Sequence, residues 1–198
     1  MNQRQASRFR ETAETSVNVE LLIDGSGHAD VNTGIPFFDH MLVLLARHSL
    51  VDLKVSARGD LAVDLHHTVE DTGIVLGQAL AAALGEKVGI KRYGWARLPM
   101  DETLVEVALD LSGRPFLEFR VPMQVGPIGS FDFGLVEEFL RAFAMSSAMT
   151  LHVQVEYGRN SHHIAEAVFK GLAKALDLGC QIDPRVRGVP SSKGKLQA

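Results

Sequence analysis

The feature that most constrains this chain is an internal repeat. Moving the sequence 96 positions along itself superimposes His66, His67 and Glu70 on His162, His163 and Glu166 without a gap. At the same offset Phe37 meets Phe133, Leu44 meets Leu140, Ala46 meets Ala142, Leu76 meets Leu172, Ala79 meets Ala175 and Leu80 meets Leu176. A self-match at fixed period marks duplicated structure, and two copies are too few to stack as a solenoid. The expected product is a single domain of two half-domains, about 1–92 and about 93–182. A tail over 183–198, rich in Pro, Gly, Ser and basic residues, should follow as loop.

Each half offers the same order of elements. In the first, Phe37, Met41, Leu44, Leu45 and His48 follow helical spacing after Gly34-Ile35-Pro36, residues 51–57 alternate as a strand, and a long helix is expected over 66–87. The counterparts are 133–146, 149–156 and 161–178. Residues 9–23 alternate up to the turn signal Asp24-Gly25-Ser26-Gly27, and 96–121 reads as strands with turns at 100–102 and 112–115. Strands and helices segregate, so the expected fold class is α+β, a two-layer helix/sheet sandwich built from two duplicated half-domains.

Composition excludes several classes. With 46% apolar and 22% charged residues the chain can bury a sizeable core, and the net charge of −4 gives no global attraction for nucleic acid or an anionic membrane. No run approaches the roughly 18 apolar residues of a membrane helix. The start MNQRQASRFR has no apolar core of a secretory signal, and one cysteine, Cys180, allows no internal disulfide. A cytoplasmic protein is expected, with Cys180 as a small apolar filler.

On a helix, residues four apart share a face while neighbours diverge by about 100°. His66 with Glu70 can therefore meet one metal ion while His67 reaches another, and His162, His163 and Glu166 do the reverse across a pseudo-twofold axis. The result is a dinuclear, histidine-rich site with one carboxylate per metal. Imidazole and carboxylate without thiolate suit Mn, Fe, Zn or Co. Two further candidates, His40 and Glu138, sit one helix earlier at equivalent ends of the repeats, and His152 is a third. A lone histidine on a helix is more often structural; two clusters in register within a repeat reverse that expectation, whereas His28 and His48 lack such support. Gly73, Gly77 and Gly171 are expected to permit close packing. There is no P-loop, no GxGxxG after a strand and no HExxH.

The stretches GIPFFDHML, DLHHTVEDTGIVLGQAL, GRNSHHIAEAVFKGLAKAL and VPSSKGKL, spread over residues 34–196, resemble the imidazoleglycerol-phosphate dehydratase family, lyases of histidine biosynthesis. The resemblance implies duplicated α+β half-domains, trimers assembled into a homo-oligomer of 24 subunits, and two Mn2+ ions per active site with ligands from neighbouring subunits. The implied ligands are His40, His66, His67, Glu70, His162, His163 and Glu166. A histidine often precedes the Phe-Phe of one family helix; here Glu138 precedes Phe139-Leu140, which leaves Glu138 and His152 as alternatives for that ligand.

The implied reaction removes water from a glycerol phosphate chain whose C2 proton has no neighbouring carbonyl, so the substrate's imidazole must act as electron sink. Glu14 is the candidate to move protons, with Glu166 or a metal-bound water as alternatives, and His40 belongs to the same catalytic group. Arg92, Arg114, Lys170, Ser191, Ser192 and Lys193 match the family's phosphate-binding positions, and Glu14 is counted with them among the substrate-binding residues. Asp101 and Glu102, beside a turn, either touch the site or cap it. A dinuclear hydrolase and a metal-storage assembly are the rival readings, and the basic tail disfavours storage.

Overall fold

Alternation in the sequence becomes two four-stranded sheets. In the computed structural model, which describes residues 3–121 and 124–196, β1 (Gln5–Glu11), β2 (Thr15–Leu22), β3 (Ala29–Asn32) and β4 (Asp52–Gly59) pair in the order β1-β2-β4-β3. β5 (Tyr93–Met100), β6 (Thr103–Asp110), β7 (Phe116–Arg120) and β8 (Thr150–Tyr157) repeat that order as β5-β6-β8-β7. In each sheet the last pair, β3 with β4 and β7 with β8, is parallel and the others antiparallel. Val17, Val19 and Leu21 on β2 are buried, as are Val105, Val107 and Leu109 on β6, and the residues between them are more exposed. One face of each sheet is therefore core and the other faces outward.

Four helices fill the space between the sheets. α1 (Pro36–Ser49) and α2 (His66–Leu84) lie on the first sheet, α3 (Gly134–Ser147) and α4 (Ser161–Cys180) on the second. α2 packs on α3 and α1 on α4, so each half is a two-layer helix/sheet unit and the two units join helix to helix. The seam is aromatic: Phe139 stacks on Phe143 and Phe169 at 5.9 and 5.2 Å and meets the edge of Phe38 at 5.4 Å. Each ring is essentially buried, worth about 3 kcal/mol apiece in apolar transfer. Gly73 and Gly77 let α2 approach α3 closely, since a Cβ there would lie 2.8 Å from the Phe139 carbonyl and 2.7 Å from that of Phe143. At Gly171 it would meet Val107 on β6 at 2.8 Å.

Three details differ from the sequence reading. Residues 9–23 are not one strand, because the chain turns at Thr12-Ala13-Glu14, where Thr12 N–H donates to the Thr15 carbonyl at 2.8 Å. The short strand β3 carries no alternation strong enough to be read. α2 stops at Leu84, where Gly85 takes a positive φ and donates back to Ala81. The repeat is also not uniform. His66 and His162 are 96 apart, but the buried sets Met41, Leu42, Leu45, Ala46 and Phe139, Leu140, Phe143, Ala144 on α1 and α3 correspond at 98, as do the left-handed residues Leu50 and Ala148 after them. The connection from β4 to α2 is longer than that from β8 to α4, which restores the register at the histidines. Cys180 is buried, and burial pushes its thiol up to about 12.

Candidate functional site

The histidines stand where helices begin, and local capping fixes them there. Asn160 Oδ1 accepts from the His162 and His163 backbone N–H groups at 2.9 and 3.4 Å, and Asp64 Oδ1 accepts from that of His66 at 2.8 Å. α1 starts with Pro36, whose missing N–H costs nothing at that position, and Asp39 in its first turn accepts from Thr33 N–H and Oγ1 at 2.8 and 2.6 Å. Ring contacts of Phe37 with His162 at 5.3 Å, and of both Phe37 and Phe38 with Phe131, gather these helix starts at one end of the molecule.

There His40 and His162 each place Nε2 3.0 Å from Glu166 Oε1. These three donors lie within 4.8 Å of one another, and among the described residues they are the one such group of three. Glu166 is 8% exposed, while the two imidazoles are half open to solvent. Burial pushes its carboxyl up, but hydrogen bonds from Lys170 Nζ, His40 and His162 outweigh this and hold it at about 2. Two imidazoles and one ionised carboxylate converging without sulfur make a donor set that fits a divalent cation such as Mn2+.

The first half holds a looser counterpart. His66 Nε2 is 3.8 Å from Glu70 Oε2, and Glu138 lines the same surface hollow as His66. Glu138 is thus placed as His40 is, 98 positions on. His67 and His163 turn away from their neighbours, with rings 6.1 and 6.3 Å from those of His66 and His162 and nearly perpendicular to them. His67 Nδ1 contacts Asp60 Oδ2 at 3.0 Å and His163 Nδ1 contacts Glu102 Oε2 at 2.8 Å. The hydrogen bonds to Asp60 and Glu102 raise the pKa of His67 and His163 above the ordinary imidazole value. Glu102 in turn is held at about 2 by His163 and by the N–H groups of Asn160 and Arg159. His152 lies on the outward face of β8, with its ring 5.8 Å from that of Phe116, apart from every helix start.

The expected phosphate group divides in two. Arg92 Nε and Nη2 donate to Asp110 at 2.6 and 2.9 Å, Nη1 donates to the Pro190 carbonyl at 2.9 Å, and Arg114 Nη2 is 3.5 Å from the same Asp110. Arg92 and Arg114 therefore share Asp110, and Arg92 also holds Pro190, the residue before Ser191-Ser192-Lys193. Lys170 is elsewhere, on Glu166. Arg92 N–H donates to the Gly179 carbonyl, so this basic group sits at the far end of α4 from His162, about 25 Å away at 1.5 Å per residue.

Several residues at the site had no individual signal. Asp71, buried in α2, accepts from Thr15 Oγ1 and from Arg10 Nε at 2.9 Å, which pins the strand start beside Glu14. Asp60 holds His67, and Asp110 gathers the two arginines. Lys87, 8% exposed, has its ammonium pKa lowered by burial. The role of Glu102 did carry a signal, the dipeptide Glu-Thr whose threonine opens both β2 and β6.

The family model for imidazoleglycerol-phosphate dehydratase matches residues 33–176. The chain belongs to that family. Its similarity to the imidazoleglycerol-phosphate dehydratase of Azorhizobium caulinodans is 59% identity over 194 residues, covering 98% of both chains. To that of Bacillus licheniformis it is 54% over 193 residues, covering 98% of this chain and all of the relative. The fold matches crystal structures of imidazoleglycerol-phosphate dehydratases from Staphylococcus aureus, with TM-score 0.82, 37% identity and coverage of 90% and 99%, and from Pyrococcus furiosus, with 0.83, 36% and coverage of 96% and 100%. The dehydratase family is one of hydro-lyases. The duplicated α+β architecture is that of these dehydratase structures, and no helix among the described residues is long and apolar enough to cross a membrane.

Proposed function

We propose that this protein removes water from D-erythro-imidazole-glycerol phosphate to give imidazole-acetol phosphate, at a site that holds two Mn2+ ions and is shared between copies of the chain in the cytoplasm. The observation that carries the metal reading is the convergence of His40 Nε2, His162 Nε2 and Glu166 Oε1. Manganese bound by these residues and their counterparts supplies Lewis-acid stabilisation of negative charge on the substrate's imidazole. Residues of the chain do the rest. Glu14 Oε2 stands 3.7 Å from His67 Nδ1 on a side chain 56% exposed, open to a substrate proton. Arg114 is 62% exposed and shares Asp110 with Arg92, which holds the Pro190 carbonyl just before Ser191-Ser192-Lys193, so Arg114 and the tail are the groups able to grip a phosphate. Arg92 is already occupied by Asp110 and Pro190, so it orders the tail and lends positive charge.

The separation of these groups supports the shared site. One ring, three carbons and one phosphate span about 10 Å at covalent bond lengths, far less than the distance from His162 to Arg92. Imidazole and phosphate must then be held by different copies, consistent with trimers combined into a particle of 24 subunits. Mixing is the direct test: His162→Ala and Arg114→Ala proteins, each inactive alone, should regain activity when dissociated and reassembled together. If the mixture stays as inactive as its components, the shared site is wrong.

The metal reading is tested with chelator-stripped protein. Turnover of imidazoleglycerol phosphate should fall below about 1% and return when Mn2+ is added, as expected where a metal stabilises the charge that develops. Full turnover by protein shown by elemental analysis to be free of metal would refute it.

A further inference from the structure

The duplication supplies an internal control on the role of each carboxylate near the outward histidines. A glutamate immediately precedes the first threonine of both β2 and β6, and the buried residues of the two strands correspond at a spacing of 88, so Glu14 and Glu102 occupy equivalent positions. Yet they are used differently. Every oxygen of Glu102 is engaged: Oε2 takes His163 Nδ1 at 2.8 Å, and Oε1 takes the N–H groups of Asn160 and Arg159 at 2.9 and 3.2 Å and the hydroxyl of Thr103 at 3.2 Å. Glu14 reaches no closer than 3.7 Å to His67. In the first half the place nearest His67 Nδ1 belongs to Asp60, at 3.0 and 3.2 Å. Asp60 lies in the longer connection between β4 and α2; the residue that follows β8 in the shorter one is Gly158, which offers no carboxylate.

An ionised carboxylate can only accept, so each of these contacts requires the proton of a neutral imidazole to be on Nδ1. The lone pair is then on Nε2, which in His163 has Asp101 Oδ2 at 3.9 Å, beyond hydrogen-bond distance. We propose that Asp60 and Glu102 are positioning residues that present His67 and His163 outward as Nε2 ligands, and that Asp60, by taking this task in the first half, leaves Glu14 free to transfer protons. This rests on the reading of both histidines as metal ligands. It deepens that reading by assigning one asymmetry between the halves, the longer connection from β4 to α2, to a division of labour between carboxylates. Carboxylates behind metal-bound imidazoles fix the tautomer and ring orientation, and their loss typically weakens metal binding about 10- to 100-fold.

The test compares Mn2+ affinity, followed by the electron paramagnetic resonance of free Mn2+, with kcat at saturating Mn2+ in the assembled full-length protein. Asp60→Ala should weaken Mn2+ binding by about 10- to 100-fold, and Asp60→Asn, whose amide oxygen still accepts from Nδ1–H, should recover most of that loss. Glu102→Ala should act in the same direction, with Asp60→Ala as the decisive variant because Glu102 also braces the loop before α4. Glu14→Gln should show the opposite split, with Mn2+ affinity kept and kcat lowered by about 100-fold or more. Unaltered Mn2+ affinity in Asp60→Ala, or an equal loss of affinity in Glu14→Gln, overturns the division of labour alone. Parent protein that takes up no Mn2+ overturns it together with the metal reading beneath it.

Discussion

Glu166→Ala is expected to reduce turnover below about 1% of the parent, a larger loss than the 10- to 100-fold typical of a residue supporting a metal ligand. Glu166 is the common acceptor for His40, His162 and Lys170, so its removal leaves two imidazoles without a shared centre and an ammonium, 17% exposed, without its counter-charge. The last effect acts on folding: breaking a largely buried ion pair from one side costs about 3 kcal/mol. A companion change separates stability from chemistry. Glu166→Ala combined with Lys170→Met removes the orphaned charge and should restore much of the melting temperature while turnover and Mn2+ uptake stay lost. If the single variant retains a tenth of parental turnover, Glu166 is not a ligand.

Gly94→Ala should be the most damaging single-methyl change outside the site. The position is in β5 against α4, and a Cβ there would stand 1.8 Å from the Ala175 carbonyl oxygen and 3.0 Å from Gly179 N. Those are backbone atoms of a helix, so no rotamer can relieve the overlap and α4 must shift along its length. Overpacking of this kind costs about 3 kcal/mol or more, a fall in melting temperature of about 6–12 °C for a chain of this size. Because α4 carries His162, His163 and Glu166 at its other end, Mn2+ affinity should decline as well. Gly126→Ala, where the nearest contact would be Ser161 Oγ at 3.9 Å, is the control and should stay within about 0.5 kcal/mol of the parent. Calorimetric melts that place the two variants together would show the close approach to be unimportant.

Glycines show how legibility varied along the chain. Gly73 and Gly77 stand in a helix with clear apolar periodicity, where glycine is unfavourable, so a packing role was readable. Gly94 stands at a strand start among exposed Tyr93 and Trp95 and gave no such contrast. Likewise His66, His67, Glu70 and their mates were visible because i and i+4 on a helix is a local relation, while Asp60 and Asp71 act through contacts across 7 and 56 residues that no periodicity encodes.

What the sequence determined by itself was the duplication, the order of strands and helices, and which histidines and carboxylates share a helix face, because each follows from local spacing and from hydrophobic alternation. Only the tertiary structure decided that His40 joins His162 and Glu166, that the connection after β4 brings in Asp60, and that Lys170 parts from Arg92. Those are consequences of two helix layers packing face to face. Such packing sets distances between residues far apart in the chain and leaves opposite ends of α4 too distant for one substrate to touch both.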